Sequence, residues 1–126
     1  MSQLVIEGTA ETPFINFDSN VNKFEITGAS LPPNIFDFYQ PVLEWFRNYS
    51  KQPNKDTNLE LRFEYLNSSS TKMIMTIISV LEEIENNGMK VGVTWFYEFG
   101  DQEMKEMGED FASACNVPFK MISLKR

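Results

Sequence analysis

Apolar residues recur along this chain with two distinct periods. From Thr57 to Leu66 the order is strictly alternating: Leu59, Leu61, Phe63 and Tyr65 fall on one side, Asn58, Glu60, Arg62 and Glu64 on the other. That is the pattern of a strand with one buried face. MKVGVTWFYEF repeats it, with Val91, Val93, Trp95 and Tyr97 in phase, and VPFKMISLKR, Val117 to Arg126, predicts a closing strand. Near the start, LVIEG and FINFD are short β-prone runs, and Asp18, Ser19, Asn20, Val21 and Asn22 turn the chain into KFEITG. Three strands are expected there, the last two a hairpin.

The second period is helical. Tyr39, Val42, Leu43, Phe46 and Tyr49 form one stripe, and Ile74, Ile77, Ile78, Leu81 and Ile84 form another that stops at Asn87 and Gly88. A third helix, capped by Asp101, carries Met104, Met107, Phe111, Ala112 and Cys115 on its apolar side. Pro41 interrupts the first stripe, so that helix is expected either to begin close to Gln40 or to meet an earlier turn at a kink. GASLPPN, Gly28 to Asn34, has the Gly and Pro content of a loop, and KQPNKD, Lys51 to Asp56, that of an exposed connection. The order is βββαβαβαβ. It predicts one compact α/β domain over residues 1–126: a mixed β-sheet with an N-terminal hairpin, right-handed crossovers and helices packed on the sheet. There is no internal repeat, linker or low-complexity tract.

Composition adds mainly exclusions. Hydrophobic residues make up 42% of the chain, with eleven Phe, enough for a core that needs no staples. A formal charge of −7 opposes nucleic acid and anionic lipid as partners. No basic, hydrophobic signal segment opens the chain, and MIMTIISVL is far too short to span a bilayer, so a cytoplasmic location without membrane insertion is expected. With one cysteine, Cys115, neither an intrachain disulfide nor a thiolate zinc cluster can form. The chain has no histidine, which removes the usual general base and the commonest transition-metal ligand together. Glu82, Glu83, Glu85, Glu103, Glu106, Glu109 and Asp110 lie at the spacing of solvated helix faces. No phosphate-cradling or nucleophile-elbow motif is present. No catalytic residue, metal or cofactor is therefore assigned.

One stretch resists so plain an account. YLNSSSTKMIMTI, Tyr65 to Ile77, places four consecutive hydroxyl residues where a strand gives way to a helix. Either Asn67 or one of the serines caps that helix, a contribution of about 1 kcal/mol. One cap explains one polar side chain and leaves a surplus. Lys72 is also oddly placed, since a cation in the first turn opposes the helix macrodipole. Both features suit a site that at times carries a phosphate, because a helix N-terminus and a nearby lysine tolerate the added charge of about −1.5 to −2. A surface neutral at one moment and dianionic at the next would exchange one partner for another. Met75 offers an adaptable apolar contact beside it, or else lies at the core margin.

At these residues the chain resembles the SiaC family of small bacterial phosphoproteins, STAS-like in architecture and akin to the SpoIIAA-like partner-switching adaptors. YLNSSSTK (Tyr65 to Lys72), IEGTAETP (Ile6 to Pro13), GASLPPN (Gly28 to Asn34) and Trp45 carry the likeness, which extends over essentially the whole length. The resemblance implies a non-catalytic adaptor. In that family the hydroxyl residue after the Asn is phosphorylated by a GHKL-type Ser/Thr kinase and dephosphorylated by a PP2C-type phosphatase. The unmodified form binds a downstream target, a diguanylate cyclase in the best-known system. By position the acceptor is Ser68, with Asn67, Ser69, Ser70, Lys72 and Met75 as the partner-binding surface around it. The commonest family pattern has Thr at position 68 and Glu at position 33, where this chain has Ser and Pro.

Two other functions compete on the sequence alone. A protein-interaction or scaffolding domain of the same fold would carry the same helix cap unmodified. A small enzyme would need Ser68 as nucleophile with Lys72 or a carboxylate to activate it, an arrangement that matches no motif in the chain.

Overall fold

The computed structural model describes residues 3–125; Met1, Ser2 and Arg126, which the expected domain limits and closing strand include, lie outside the described residues. Strands β1 (Leu4–Ile6), β2 (Phe14–Asp18) and β3 (Lys23–Ser30) lead into helix α1 (Ile35–Ser50). Then β4 (Asp56–Leu66), α2 (Ser68–Asn86), β5 (Lys90–Glu98), α3 (Gln102–Ala114) and β6 (Phe119–Leu124) alternate. The nine elements follow the predicted order. They build one six-stranded sheet with spatial order β1-β2-β3-β4-β5-β6. The β1–β2 and β2–β3 pairs are antiparallel, and the β3–β4, β4–β5 and β5–β6 pairs are parallel.

Each helical crossover moves one place in the same direction, and right-handed crossovers of that kind put all three helices on one face. The strands obey. Ile15 and Phe17, Phe24 and Ile26, Leu59, Leu61 and Phe63, and Val91, Val93 and Trp95 are buried beneath the helices. On the open face, the Lys23 ammonium lies 2.6 Å from Glu60, and Arg62 lies 3.4 Å from Glu98. This division is why β4 reads as an alternation and not as the continuous apolar run of a strand covered on both sides.

Helix α1 runs unbroken through Pro41 and starts at Ile35, well before Gln40. Asn34 caps it by accepting the Asp37 amide at 3.1 Å. A proline inside a helix costs about 3 kcal/mol. Here Pro41 and Asp37 are both exposed, so water can reach the carbonyl that loses its partner. Burial of Tyr39, Val42, Leu43, Trp45, Phe46 and Tyr49, at about 1.5–3 kcal/mol for each large apolar side chain, outweighs the rest. The aromatic rings among them pack at a tilt against the hairpin: Phe17 to Trp45 is 5.4 Å between centroids, and Phe24 to Tyr49 is 4.9 Å. The Lys51–Asp56 connection is less detached than expected, because Asn54 donates to the Ser19 carbonyl at 2.9 Å and to the Asn22 side chain.

Two expectations change at the top of the sheet. Strand β3 continues through Gly28 to Ser30 where a loop was expected, and β4 loses its alternation at Glu64. The causes are linked. Gly28 pairs with Phe63 but Ala29 pairs with Tyr65, so β4 carries one extra residue. Gly28 has φ +119°, which an L side chain rarely adopts. Beyond this bulge the faces swap: Tyr65 turns outward, 53% exposed, and Leu66 turns into the core.

Helix α3 packs through a residue absent from the expected stripe. Gly108 is buried, whereas Met107, Ala112 and Cys115 are only half-buried. A Cβ at Gly108 would lie 2.5 Å from Trp95 Cδ1 and 2.8 Å from Met121 Cε. The indole cannot easily retreat, since it is fully buried and its Nε1 donates to the Met104 carbonyl at 3.1 Å. Gly108→Ala gains about 1 kcal/mol of helix propensity but overpacks this contact by about 1–3 kcal/mol. The expected result is a net loss of stability, read as a lower urea midpoint at unchanged slope.

Candidate functional site

Because β3, β4 and β5 are parallel, their carboxyl ends share one edge of the sheet, and all three helices start there. The three starts are capped alike: Asn34, Asn67 and Asp101 each accept the backbone N–H three residues on, at 3.1, 2.9 and 3.1 Å. Asn67 is thus the cap of α2, which settles the choice between it and the serines. The four hydroxyls that follow are consequently free for other roles, and each has a different one.

Thr71 bonds back to the Asn67 carbonyl through Oγ1 at 3.0 Å. Ser69 is exposed and donates to Asn67 Oδ1 at 3.3 Å. Ser70 points the other way. It is fully buried, and its Oγ accepts from Ser30 Oγ at 2.8 Å. Ser30 Oγ in turn lies 2.5 Å from the Tyr39 hydroxyl of α1. The expected partner surface is corrected here: Ser70 sits inside, because its hydroxyl completes a buried polar chain that would otherwise be unsatisfied. Burial pushes the Tyr39 phenol above its ordinary value, with the Ser30 and Ser70 hydroxyls opposing, so it stays a neutral hydrogen-bonding group.

Ser68 is the remaining hydroxyl. It occupies the first position of α2, is exposed, and makes no side-chain hydrogen bond among the described residues. Lys72 is exposed one turn further on. Met75 is half-buried against the core margin, the duller of its two alternatives. Thr76 and Ser79 bond back to the Lys72 and Met75 carbonyls, both at 3.0 Å, which accommodates hydroxyls inside the helix. The structure therefore brings Asn67, Ser68, Ser69 and Lys72 together at the surface, with Met75 at its edge and Ser70 beneath.

Three neighbouring features escaped the sequence reading. Tyr65 is turned outward by the bulge, and Phe36, 70% exposed, rims an open groove of about 380 Å³ between α1 and α2 that Met73 and Thr76 also line. Ser30 and Tyr39 support the site from below. The signal for Ser30 was present: Phe24, Ile26, Gly28 and Ser30 continue the period of two beyond the point where Gly and Pro content suggested a loop.

Elsewhere the chemistry is sparse. Among the described residues, no group of three or more His, Cys, Asp or Glu side chains is placed to hold a metal, and no helix is long and apolar enough to cross a membrane. Cys115 is half-buried; burial pushes its thiol up, and Glu82 and Glu85 add to this, so the reactive thiolate is disfavoured.

Comparison with known proteins agrees with this geometry. The model of the SiaC family regulatory phosphoproteins matches residues 6–124. The chain belongs to the SiaC family. An uncharacterized protein of Pseudomonas aeruginosa strain UCBPP-PA14 is 34% identical over 119 residues, covering 94% of each chain. The solved structure of SiaC from Pseudomonas aeruginosa superposes with a TM-score of 0.89 at 32% identity, covering 98% of this chain and 100% of that one. A structure of the diguanylate cyclase SiaD in complex with its activator SiaC, from the same organism, matches with a TM-score of 0.90 at 31% identity, covering 96% of this chain and 99% of the matched one.

Within this SiaC-family fold, the Asn67 cap is open to direct test. Asn67→Ala should cost about 1 kcal/mol and lower Tm by several degrees. The loss should appear in hydrogen exchange as faster opening of the first turn of α2, while α3 and its Asp101 cap remain unchanged.

Proposed function

We propose that this chain is a non-catalytic signalling adaptor whose partner binding is switched by reversible phosphorylation of Ser68. The observation that carries the proposal is the contrast within the hydroxyl run. Ser69, Ser70 and Thr71 are committed to hydrogen bonds, whereas Ser68 is exposed at the start of α2 and makes no side-chain hydrogen bond among the described residues. The family's description as regulatory phosphoproteins, and the naming of SiaC as the activator of a diguanylate cyclase, support the reading.

A GHKL-type kinase supplies the modification. Ser68 Oγ bonds the γ-phosphorus of ATP, the bond from that phosphorus to the β,γ-bridging oxygen breaks, ADP departs, and the hydroxyl proton passes to a base on the kinase. A PP2C-type phosphatase returns the serine by hydrolysis. The phosphorylated chain keeps its fold, because the added charge sits in solvent at the positive end of the α2 macrodipole and within one turn of Lys72.

The downstream target is a diguanylate cyclase. It docks on the unmodified surface of Asn67, Ser69, Lys72 and the edge of Met75, with Tyr65 and the α1–α2 groove as adjoining apolar area. A phosphate at Ser68 would have to be desolvated in that interface, which is costly without a cationic partner, and so the complex releases.

Incubation with the cognate kinase, magnesium and ATP should add one phosphate, mapped to Ser68 by fragmentation. Ser68→Ala should add none, and label persisting in that variant would overturn the assignment in favour of a plain interaction domain. Ser68→Asp should hold stability within about 0.5 kcal/mol, as surface substitutions do, yet weaken cyclase binding at least about tenfold. A collapse of thermal stability alongside binding would contradict a surface switch.

A further inference from the structure

Ser30 grips the start of α2 at two points. Its backbone carbonyl accepts the Asn67 amide at 3.1 Å, and its hydroxyl donates to Ser70 Oγ at 2.8 Å. Asn67 and Ser70 are themselves joined, since the Ser70 amide donates to Asn67 Oδ1 at 2.9 Å. The turn bearing Ser68 and Ser69 is therefore fastened on both sides of the two exposed serines. Tyr39, reaching from α1 to within 2.5 Å of Ser30 Oγ, holds the fastening from behind. Ser30, Tyr39 and Ser70 are each 0% exposed.

An isolated buried hydroxyl is costly, and a short polar chain between a sheet, one helix and the next fixes their relative placement when every member is satisfied. The three elements held here are β3, α1 and the first turn of α2. The sequence around Ser68 offers a kinase several hydroxyls one or two residues apart, which flexible peptide recognition would not distinguish by chemistry. The folded turn does distinguish them. Ser70 is withdrawn into the interior, Ser69 is tied to the cap, and Ser68 faces outward. A dianion on Ser70 would moreover have to enter a fully buried polar chain, at a desolvation cost that an exposed Ser68 does not bear.

We infer that the buried Ser30–Tyr39–Ser70 hydroxyl chain determines which hydroxyl is modified, holding Ser70 out of reach and presenting Ser68. This rests on the phosphorylation reading above. Ser30, Tyr39 and Ser70 act as positioning residues, through the turn they fasten and without touching the nucleotide.

The test compares the full chain with Tyr39→Phe and Ser30→Ala. Both remove single oxygen atoms, and Tyr39→Phe leaves the ring packing in place should Ser30→Ala fold poorly. Each protein is treated with the cognate kinase and magnesium ATP, the phosphate is mapped residue by residue, and amide exchange at Ser70 and Thr71 is followed without kinase. The unaltered chain should carry its label on Ser68. In folded variants, exchange at those two amides should quicken, and the preference for Ser68 over Ser69 and Ser70 should fall by about tenfold. Because unfolded chain would be labelled without selection, the ratio is read well below each variant's melting transition, where loss of global stability does not move it. Label that stays wholly on Ser68 in folded Tyr39→Phe and Ser30→Ala overturns the inference and spares the switch. Unchanged exchange at Ser70 and Thr71 also overturns it, independently of any kinase. An unaltered chain that accepts no phosphate at all removes the switch itself, and the selection with it.

Discussion

Everything in this fold follows from burying one face of a six-stranded sheet. The strands lie side by side in chain order, so each helical crossover steps the same way and lands on the same side. One face becomes apolar and the other keeps ion pairs such as Lys23–Glu60. The same rule sends the carboxyl ends of β3, β4 and β5 to a common edge, with the three capped helix starts beside them. A one-sided layout thus concentrates irregular backbone and polar side chains at one place, and α2 begins in the middle of it.

At that edge the local details reinforce one another. The extra residue in β4 next to Gly28 swaps the faces of Tyr65 and Leu66 just ahead of the Asn67 cap. Leu66 turning inward anchors the strand end, and pairing of Ser30 with Leu66 brings the Ser30 side chain toward the first turn of α2. Without the bulge, strict alternation would bury Tyr65 and expose Leu66, and the chain would enter α2 from the opposite face. Gly28, whose positive φ accompanies the irregularity, therefore matters to a site it never touches.

Much of the fold was legible because its signals are periodic and long. Ile74, Ile77, Ile78, Leu81 and Ile84 are all fully buried, and β4 alternates as expected for most of its length. The failures occurred where a single residue breaks a period. Pro41 suggested a late start for α1, but the buried aromatic stripe on both sides of it was stronger than one missing hydrogen bond. Tyr65 was assigned to the core because nothing in YLNSSS announces a bulge. In the candidate site the Asn67 cap was one of the alternatives that local order offered and Ser68 came from the family resemblance, yet neither revealed the burial of Ser70. That depends on Ser30 and Tyr39, distant in sequence and supplied by other elements, so no pattern within the hydroxyl run can reveal it.

The division of labour within the run also bears on why a switch would be built at the first helical residue. A hydroxyl at the cap is needed for the amide it satisfies, and modifying it would open the first turn; here that task falls to Asn67, which no kinase can phosphorylate. A hydroxyl facing inward belongs to the packing of α2 on β3 and α1, and charging it would separate them. A hydroxyl on the outer face of the first residue serves neither purpose. On the proposed reading it would gain and lose a dianion with the macrodipole favouring the charge, and no side-chain hydrogen bond of Ser68 among the described residues would be at stake. The proposed switch would thereby keep fold and signal on different side chains only two residues apart, so that the surface changes sign while the core beneath it stays the same.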